Sequence, residues 1–472
     1  MADESGGRCC VNEGRCHWGE TYIFGLARLG LRAVYLTAGA AGMYCGSCMH
    51  DNALAKAMRG IGVDCVLQPI YTPIRTDDKS IANHQMFFGG IHIYLLQQFP
   101  WLKYLPRPLR RWLDWEPLIR FATRKSAAYD AKQLGELSIS MLQGLEGRQA
   151  DEVDRLSHWL SDQMKPDAII FTNLLIGGCL PELSRLIPNA QRVVLLQGDD
   201  IFLDHLPETE REMAVQLCRS LVPWVDRFVT HSHFYAAKMA ALLCIPSERI
   251  HVTPLSIDLH PFQAIDHHPL AHGLEKESGE FRLGYFARIA PEKGLHHLVN
   301  AFISLANQPE HVNLTLHVAG WLGEHQHDYF EGLRRQINEA GLEERFVYHG
   351  SPDLNQKIQL LASYDVTCVP TDYEDPKGLF VLESLAAGTP VILPRHGAFP
   401  ELIESTSGGI LFAPGELGEL IDAIVSFKSN ESLQNSLAHQ GRSAVLEKHS
   451  IQQCASAMKF ICFADRIPDQ AS

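Results

Sequence analysis

From Leu31 onward the chain alternates between short runs that are apolar throughout and longer stretches in which apolar residues recur every three or four positions. The first pattern suits strands buried on both faces of a parallel sheet, the second helices packed against it. "LRAVYLTAG" (31–39) reads as a strand, "GAAGMYCGS" (39–47) as a glycine-rich loop, and "CMHDNALAKAMRGIG" (48–62) as a helix. Its apolar positions are Met49, Leu54, Ala57, Met58 and Ile61. "VDCVLQPIY" (63–71) supplies the next strand and completes a βαβ unit, the seed of a doubly wound sheet. Further strands are predicted at 167–175, 192–198, 227–232 and 249–255, with helices between them.

The apolar pattern lapses over "QAIDHHPLAHGLEKESGE" (263–280), which reads as a linker, and then restarts. A strand is predicted at 281–289, followed by a helix with Pro291 near its start and Leu295, Leu298, Val299, Phe302 and Leu305 on one face. Strands at 313–320, 345–350, 365–370 and 389–394 follow. The expected class is α/β, with two Rossmann-like doubly wound domains facing across a cleft. The first spans 32–262 with an insertion at 97–150, and the second spans 281–445. Residues 1–31 are expected to be a poorly ordered extension, and 446–472 a helix that returns to the first domain, with a tail.

A length of 472 residues agrees with more than one core. No uninterrupted apolar window is long enough to span a bilayer. A formal net charge of −14 argues against a nucleic-acid partner, which needs a basic surface. Twelve cysteines are spread along the chain. Cys65, Cys179, Cys218 and Cys368 lie in apolar stretches, as packed, reduced thiols of a cytoplasmic protein do. The first thirty residues lack the basic leader and apolar core of a secretory signal. Cys9, Cys10, Cys16 and His17 match no standard zinc spacing. A stretch rich in Trp and Arg, 99–125, suits either peripheral contact with a membrane or a lid that packs its own aromatics near the cleft.

Three segments carry candidate chemistry. In "ARIAPEKG", Arg288 and Lys293 flank the turn between a strand's end and the next helix, where two cations suit a departing diphosphate. In "PTDYEDPKGLFVLESLAAGTPVILP" (370–394), Asp375 stands at an acidic loop and Glu383 eight residues on, along a helix expected to start near Pro376. Two carboxylates so spaced can accept hydrogen bonds from the hydroxyls of one extended ligand, although Asp before Pro is also a common helix cap. The loop "GAAGMYCGSC" (39–48) offers glycine backbone to a ligand. Its Cys45 and Cys48 leave a redox or metal reading open.

Together these segments resemble the retaining nucleotide-sugar glycosyltransferases of the GT-B fold, group 1 (family 4), with an echo of glycogen and starch synthases in the N-terminal half. "ARIAPEKGL", "PLSIDLHPF" (254–262), "HGAFPELIE" (396–404) and "DPKGLFVLESLAAGTPVI" carry the C-terminal resemblance. "GAAGMYCGSCMHDNALAKAM" and "FFGGIHIYLL" (87–96) carry the N-terminal one. The resemblance implies that Arg288 and Lys293 hold the donor diphosphate, that Glu383 binds the ribose, and that Asp375, with Glu374 beside it, meets the donor sugar. It further implies that Gly378 and Leu379 cap a phosphate, that Gly39 and Gly42 close on the donor, and that Glu401 shapes the nucleobase pocket. Gly89, Gly90 and His92 fall on the acceptor side. Gln197 occupies a position where the family often has His, and can hydrogen-bond a hydroxyl but not shuttle a proton near neutral pH.

By this resemblance the function is hexosyl transfer with retention, from a nucleotide-diphosphate sugar to a glycan, lipid or small metabolite, with no cofactor and no metal. An epimerase or phosphorylase on the same fold, a non-catalytic sugar-nucleotide or glycan-binding protein, and a thiol redox protein are the alternatives.

Overall fold

A computed structural model describes residues 30–39, 46–71, 80–83, 131–267, 274 and 276–466. The apolar runs form strands in two sheets. In the first, β1 (Arg32–Thr37), β2 (Asp64–Pro69), β3 (Ala168–Phe171), β4 (Gln191–Leu195), β5 (Arg227–Thr230) and β6 (Ile250–Val252) pair in the order β2-β1-β3-β4-β5-β6. In the second, β7 (Phe281–Phe286), β8 (Leu314–Ala319), β9 (Phe346–Tyr348), β10 (Val366–Cys368), β11 (Val391–Pro394) and β12 (Gly409–Phe412) pair in the order β12-β11-β10-β7-β8-β9. Every pairing is parallel.

These orders fix where ligands can bind. Strand order reverses between β1 and β3 in the first sheet and between β7 and β10 in the second. The loops leaving such neighbours on their carboxyl side diverge, and a crevice opens between them. Thr37 to Gly39 and Thr172 to Asn173 flank the first crevice. The Arg288–Lys293 turn and the Thr371–Gly378 loop flank the second.

Both faces of the first sheet are covered, which explains its unbroken apolar runs. Val34, Leu36, Ile169 and Phe171 pack to one side, Ala33, Tyr35, Ala168 and Ile170 to the other. On the second side lie the helix Gly46–Gly60 and the last helix, Ile451–Phe463, whose Cys454, Met458 and Cys462 pack in one cluster with Leu54, Met58 and Cys65. The chain thus crosses between the domains twice, and Ile257 and Ser450 form a β-bridge where the two crossings meet. The eight cysteines among the described residues are free, and burial pushes the Cys65 and Cys179 thiols up to about 12.

Several elements differ from the sequence reading. The helix after β7 starts at Leu295, because Pro291–Lys293 form a 3-10 turn and Gly294 takes a left-handed φ of 73°. A Cβ on Gly294 would sit 1.7 Å from the Pro370 carbonyl oxygen, so glycine lets the two crevice walls touch. The next predicted helix starts at Leu379, not Pro376, again after a left-handed glycine, Gly378. Strand β3 stops at Phe171 because Asn173 caps a 3-10 turn by accepting from the Ile176 amide. Strand β12 is not among the predicted strands; it opens on a glycine, and three of its four residues are only half-buried. The helix Gly46–Gly60 buries His50, Asp51 and Asn52 along with Leu54 and Met58, whereas Met49 and Ala57 are only half-buried.

Among the described residues no helix is long and apolar enough to cross a membrane. The 99–125 stretch, Gly42, Cys45, Gly89, Gly90, His92 and the cysteines before Leu31 lie outside the described residues.

Candidate active site

At the second crevice a cavity of ≈ 360 Å³ opens between the domains. Arg288, Lys293, Lys357, Asp375, Gly378 and Glu383 line it from the C-terminal side, and Ser47, Ile201 and Gln197 from the N-terminal side. Of the residues singled out in the sequence, Arg288, Lys293, Asp375, Gln197, Gly378, Leu379 and Glu383 line this one cavity. Gly39 lines a second, adjoining cavity instead.

Arg288 is partly exposed and pairs with Glu292 at 2.5 Å. Lys293 lies deeper, with Nζ 3.0 Å from Asp375 Oδ2 and bonded to the Tyr373 hydroxyl. Asp375 was expected at the donor sugar, but its four acceptor positions are already taken. Oδ1 accepts from the amides of Lys377 and Gly378, both at 3.0 Å, and Oδ2 accepts from Lys293 and from the Tyr373 hydroxyl at 2.8 Å. Asp375 therefore caps the Gly378 turn and positions the Lys293 ammonium. Burial alone would raise its pKa; the Lys293 charge and these donors overcome that and hold it at about 2.

Gly378 and Leu379 begin the helix Leu379–Ala386, so the positive end of its dipole faces the cavity. Glu383, expected at the ribose, reaches the same cavity with Oε1 2.8 Å from Lys357 Nζ on the helix Leu354–Ser363.

Two expected donor-binding residues hold the domains together instead. Glu401 accepts from the amides of His233 and Phe234 at 2.8 and 2.6 Å, capping a helix of the other domain (His233–Leu243), where a carboxylate complements the helix dipole. Glu374 is exposed and pairs at 3.1 Å with Lys238, which also meets Asp200 at 2.9 Å. Ser232 adds a bond to the Pro376 carbonyl.

Ser47, Lys357 and Lys377 line the cavity without being marked in the sequence. Lys377 reaches across the cleft, with Nζ 2.7 Å from Ser47 Oγ and 3.0 Å from Gln197 Oε1. Gln197 in turn donates to Asp51 at 3.0 Å, and Asp51 also accepts from Tyr35, Thr37 and Thr172. Gln197 is thus clamped between a buried carboxylate of one domain and a lysine of the other. Only its likeness in position to Asp375 and Glu383, between two motif carboxylates, could have marked Lys377 in the sequence.

His50 and His231 pack edge to face with ring centroids 4.7 Å apart. Burial, with the Lys377 charge adding to it, pushes His231 down to about 4. Burial, then His231 and Lys377, lower His50 as well. A base depressed in the folded state is protonated first in the unfolded chain, so acid favours unfolding across the window from 6.5, the ordinary value, to about 4. For His231 this amounts to about 3 kcal/mol. Burial raises Asp199 to about 6, and this has the opposite sign: its stabilisation is present below 3.8 and is lost as pH rises through about 6. The difference between the parent and His231→Asn isolates the histidine. The parent's denaturant midpoint is expected to fall more steeply than the variant's between pH 6.5 and 4; parallel curves would refute the assignment.

Residues 271–444 match the family model described as glycosyl transferases, group 1. A similar protein is the 2-deoxystreptamine glucosyltransferase of Streptomyces kanamyceticus, 30% identical over 39% of this chain and 46% of that one. Another is the D-inositol 3-phosphate glycosyltransferase of Arthrobacter sp. (strain FB24), 25% identical over 51% of this chain and 55% of that one. The chain spans about half the length of the curated relatives it matches. Among solved structures, Anabaena HepE in complex with UDP aligns with a TM-score of 0.63 at 19% identity, covering 91% of this chain and 100% of that one. Sucrose-phosphate synthase from Thermosynechococcus elongatus aligns at 0.64 and 17% identity, covering 91% and 98%. The fold is therefore GT-B.

Proposed function

We propose that this chain, with its GT-B fold and a group 1 glycosyl transferase match over residues 271–444, moves a hexosyl group from a nucleotide-diphosphate sugar to an acceptor held by the N-terminal domain. The observation that carries the reading is the pair Arg288 and Lys293 at the β7/β10 crevice, in a cavity that both domains line. The HepE structure with UDP supports the nucleotide class.

In the proposed reaction the bond from the anomeric carbon to the diphosphate oxygen breaks and the bond to the acceptor oxygen forms. The acceptor proton passes to the departing phosphate oxygen. Charge growing on that phosphate meets Arg288, Lys293 and the amino end of the helix Leu379–Ala386, so the proposal includes no metal. Delivery of the acceptor on the face that the leaving group vacates gives retention. Closure of the domains excludes water and favours transfer over hydrolysis.

A panel of UDP-, GDP- and ADP-sugars is expected to contain one that raises the melting temperature and is slowly hydrolysed. Saturation at a hundredfold excess over Kd stabilises by about 2.7 kcal/mol. Arg288→Ala is expected to abolish that shift at the same concentration. A panel with neither shift nor hydrolysis would sink the reading.

A further inference from the structure

A second cavity, of ≈ 320 Å³, lies at the other switch point, between the loops that leave β1 and β3. It meets the donor cavity at Ser47 and Gln197, which line both. Its volume falls within the range of small-molecule pockets. Most of its wall is apolar, built from Leu137, Met141, Leu175, Ile176 and Phe202, with Tyr71, Ser138 and Asn173 as further polar lining residues.

At the junction the hydrogen-bond roles of three hydroxyls are already set. Thr37 Oγ1 and Thr172 Oγ1 donate their protons to Asp51, at 3.0 and 2.6 Å, so toward the cavity they can only accept. Ser47 Oγ accepts from Lys377 and keeps its own proton to give. Such a set takes a hydroxyl group as its guest. Among the described lining residues none is Lys or Arg, and the one charged side chain is the buried Asp199, whose oxygens accept from the amides of Leu174 and Gln197. The Lys377 ammonium stands at the junction, held by Ser47 and Gln197; beyond it no described lining residue neutralises a phosphate or a carboxylate, and Asp199 repels one.

We infer that this chamber is the acceptor site and that the acceptor is an uncharged hydroxyl compound with an apolar body. The hydroxyl lies at the Thr37–Ser47 junction, facing the donor cavity, and the apolar body fills the chamber. This deepens the glycosyltransfer reading and rests on it. The bond changes are those given above, with the acceptor hydroxyl losing its proton to the departing phosphate.

The test is binding to the full chain without any donor, so its outcome is separate from that of the nucleotide-sugar panel. Methyl, butyl, hexyl and octyl glucosides are titrated by calorimetry, with glucose 6-phosphate as the charged comparator. Kd is expected to fall about fourfold per methylene until the chamber is full, the factor that burial of one methylene gives. Glucose 6-phosphate is expected not to bind. Leu175 and Leu137 are only half-buried, so both can be changed without opening the core. Leu175→Asp is expected to remove the chain-length dependence, and Leu137→Trp to shorten the preferred chain.

Equal affinity across the series, binding of glucose 6-phosphate as tight as that of octyl glucoside, or a Leu175→Asp variant that keeps the dependence would each overturn the inference. A glucosyl diacylglycerol in phosphatidylcholine vesicles that competes with octyl glucoside identifies the apolar body as that of a membrane lipid. Retained octyl glucoside binding without competition identifies a soluble amphiphile. Either result keeps the apolar acceptor. Failure of the series alongside a positive nucleotide-sugar panel would leave the donor reading standing.

Discussion

Replacing Lys293 by Met is expected to lower kcat/KM for transfer by about 10²- to 10³-fold, the usual effect of removing one donor to a developing negative charge. The same change should lower the melting temperature, because it strips the buried Asp375 carboxylate of its counter-ion. Breaking such a pair costs about 3–5 kcal/mol. The loss should lie toward the low end, since Tyr373 and the amides of Lys377 and Gly378 still donate to Asp375. Adding Asp375→Asn separates the two effects. The double variant removes the stranded charge and should recover most of the lost stability while activity stays low. If activity returns with stability, Lys293 is only a counter-ion to Asp375 and does not act on the leaving group.

That prediction depends on a contact the sequence does not reveal. Arg288 and Lys293 were legible because a strand, a turn with Pro and Gly, and an amphipathic helix follow one another within a few residues, so local rules place both cations at a sheet edge. The two-sheet fold was legible for the same reason, since strands buried on both faces leave unbroken apolar runs. The limit came where function depends on which segments meet across the cleft. Glu374 sits between Tyr373 and Asp375, which line the cavity, yet its side chain turns to Lys238, and Glu401 turns to the helix His233–Leu243 of the other domain. Asp375 shows the same limit on a smaller scale. Its place before Pro376 predicted a capping role and its spacing from Glu383 predicted a ligand role, and only the positions of Tyr373 and Lys293 show how its oxygens are used.

The strand order adds information that neither the motifs nor the periodicity contain. Sequence supplies the strands in series, but pairing β1 with β3 and β7 with β10 opens one crevice in each sheet. The two cavities occupy these crevices and share Ser47 and Gln197, so topology brings them together before any single side chain is considered.

Lys377 stands at that shared point, and Lys377→Met is expected to lower kcat roughly 10- to 150-fold while leaving the donor KM nearly unchanged. The factor corresponds to the loss of a hydrogen bond from a charged donor, about 1.5–3 kcal/mol. Gln197 would stay bonded to Asp51 and Thr172, but its oxygen and the Ser47 hydroxyl would lose the ammonium that sets them against the donor domain. The domains themselves should remain docked, because Glu401, the Lys238–Glu374 pair and the Ser232–Pro376 bond lie outside this contact. A purely structural role for Lys377 would move stability more than kcat, and a role as a phosphate ligand would raise the donor KM at constant kcat; either result overturns the positioning role. The neighbouring imidazoles give a readout independent of turnover. The Lys377 charge helps hold His231 at about 4 and His50 below its ordinary value, so both must titrate at higher pH in the variant if the ammonium lies where these distances place it. An unchanged pair of imidazole titrations, followed by NMR, would mean that Lys377 points elsewhere in solution.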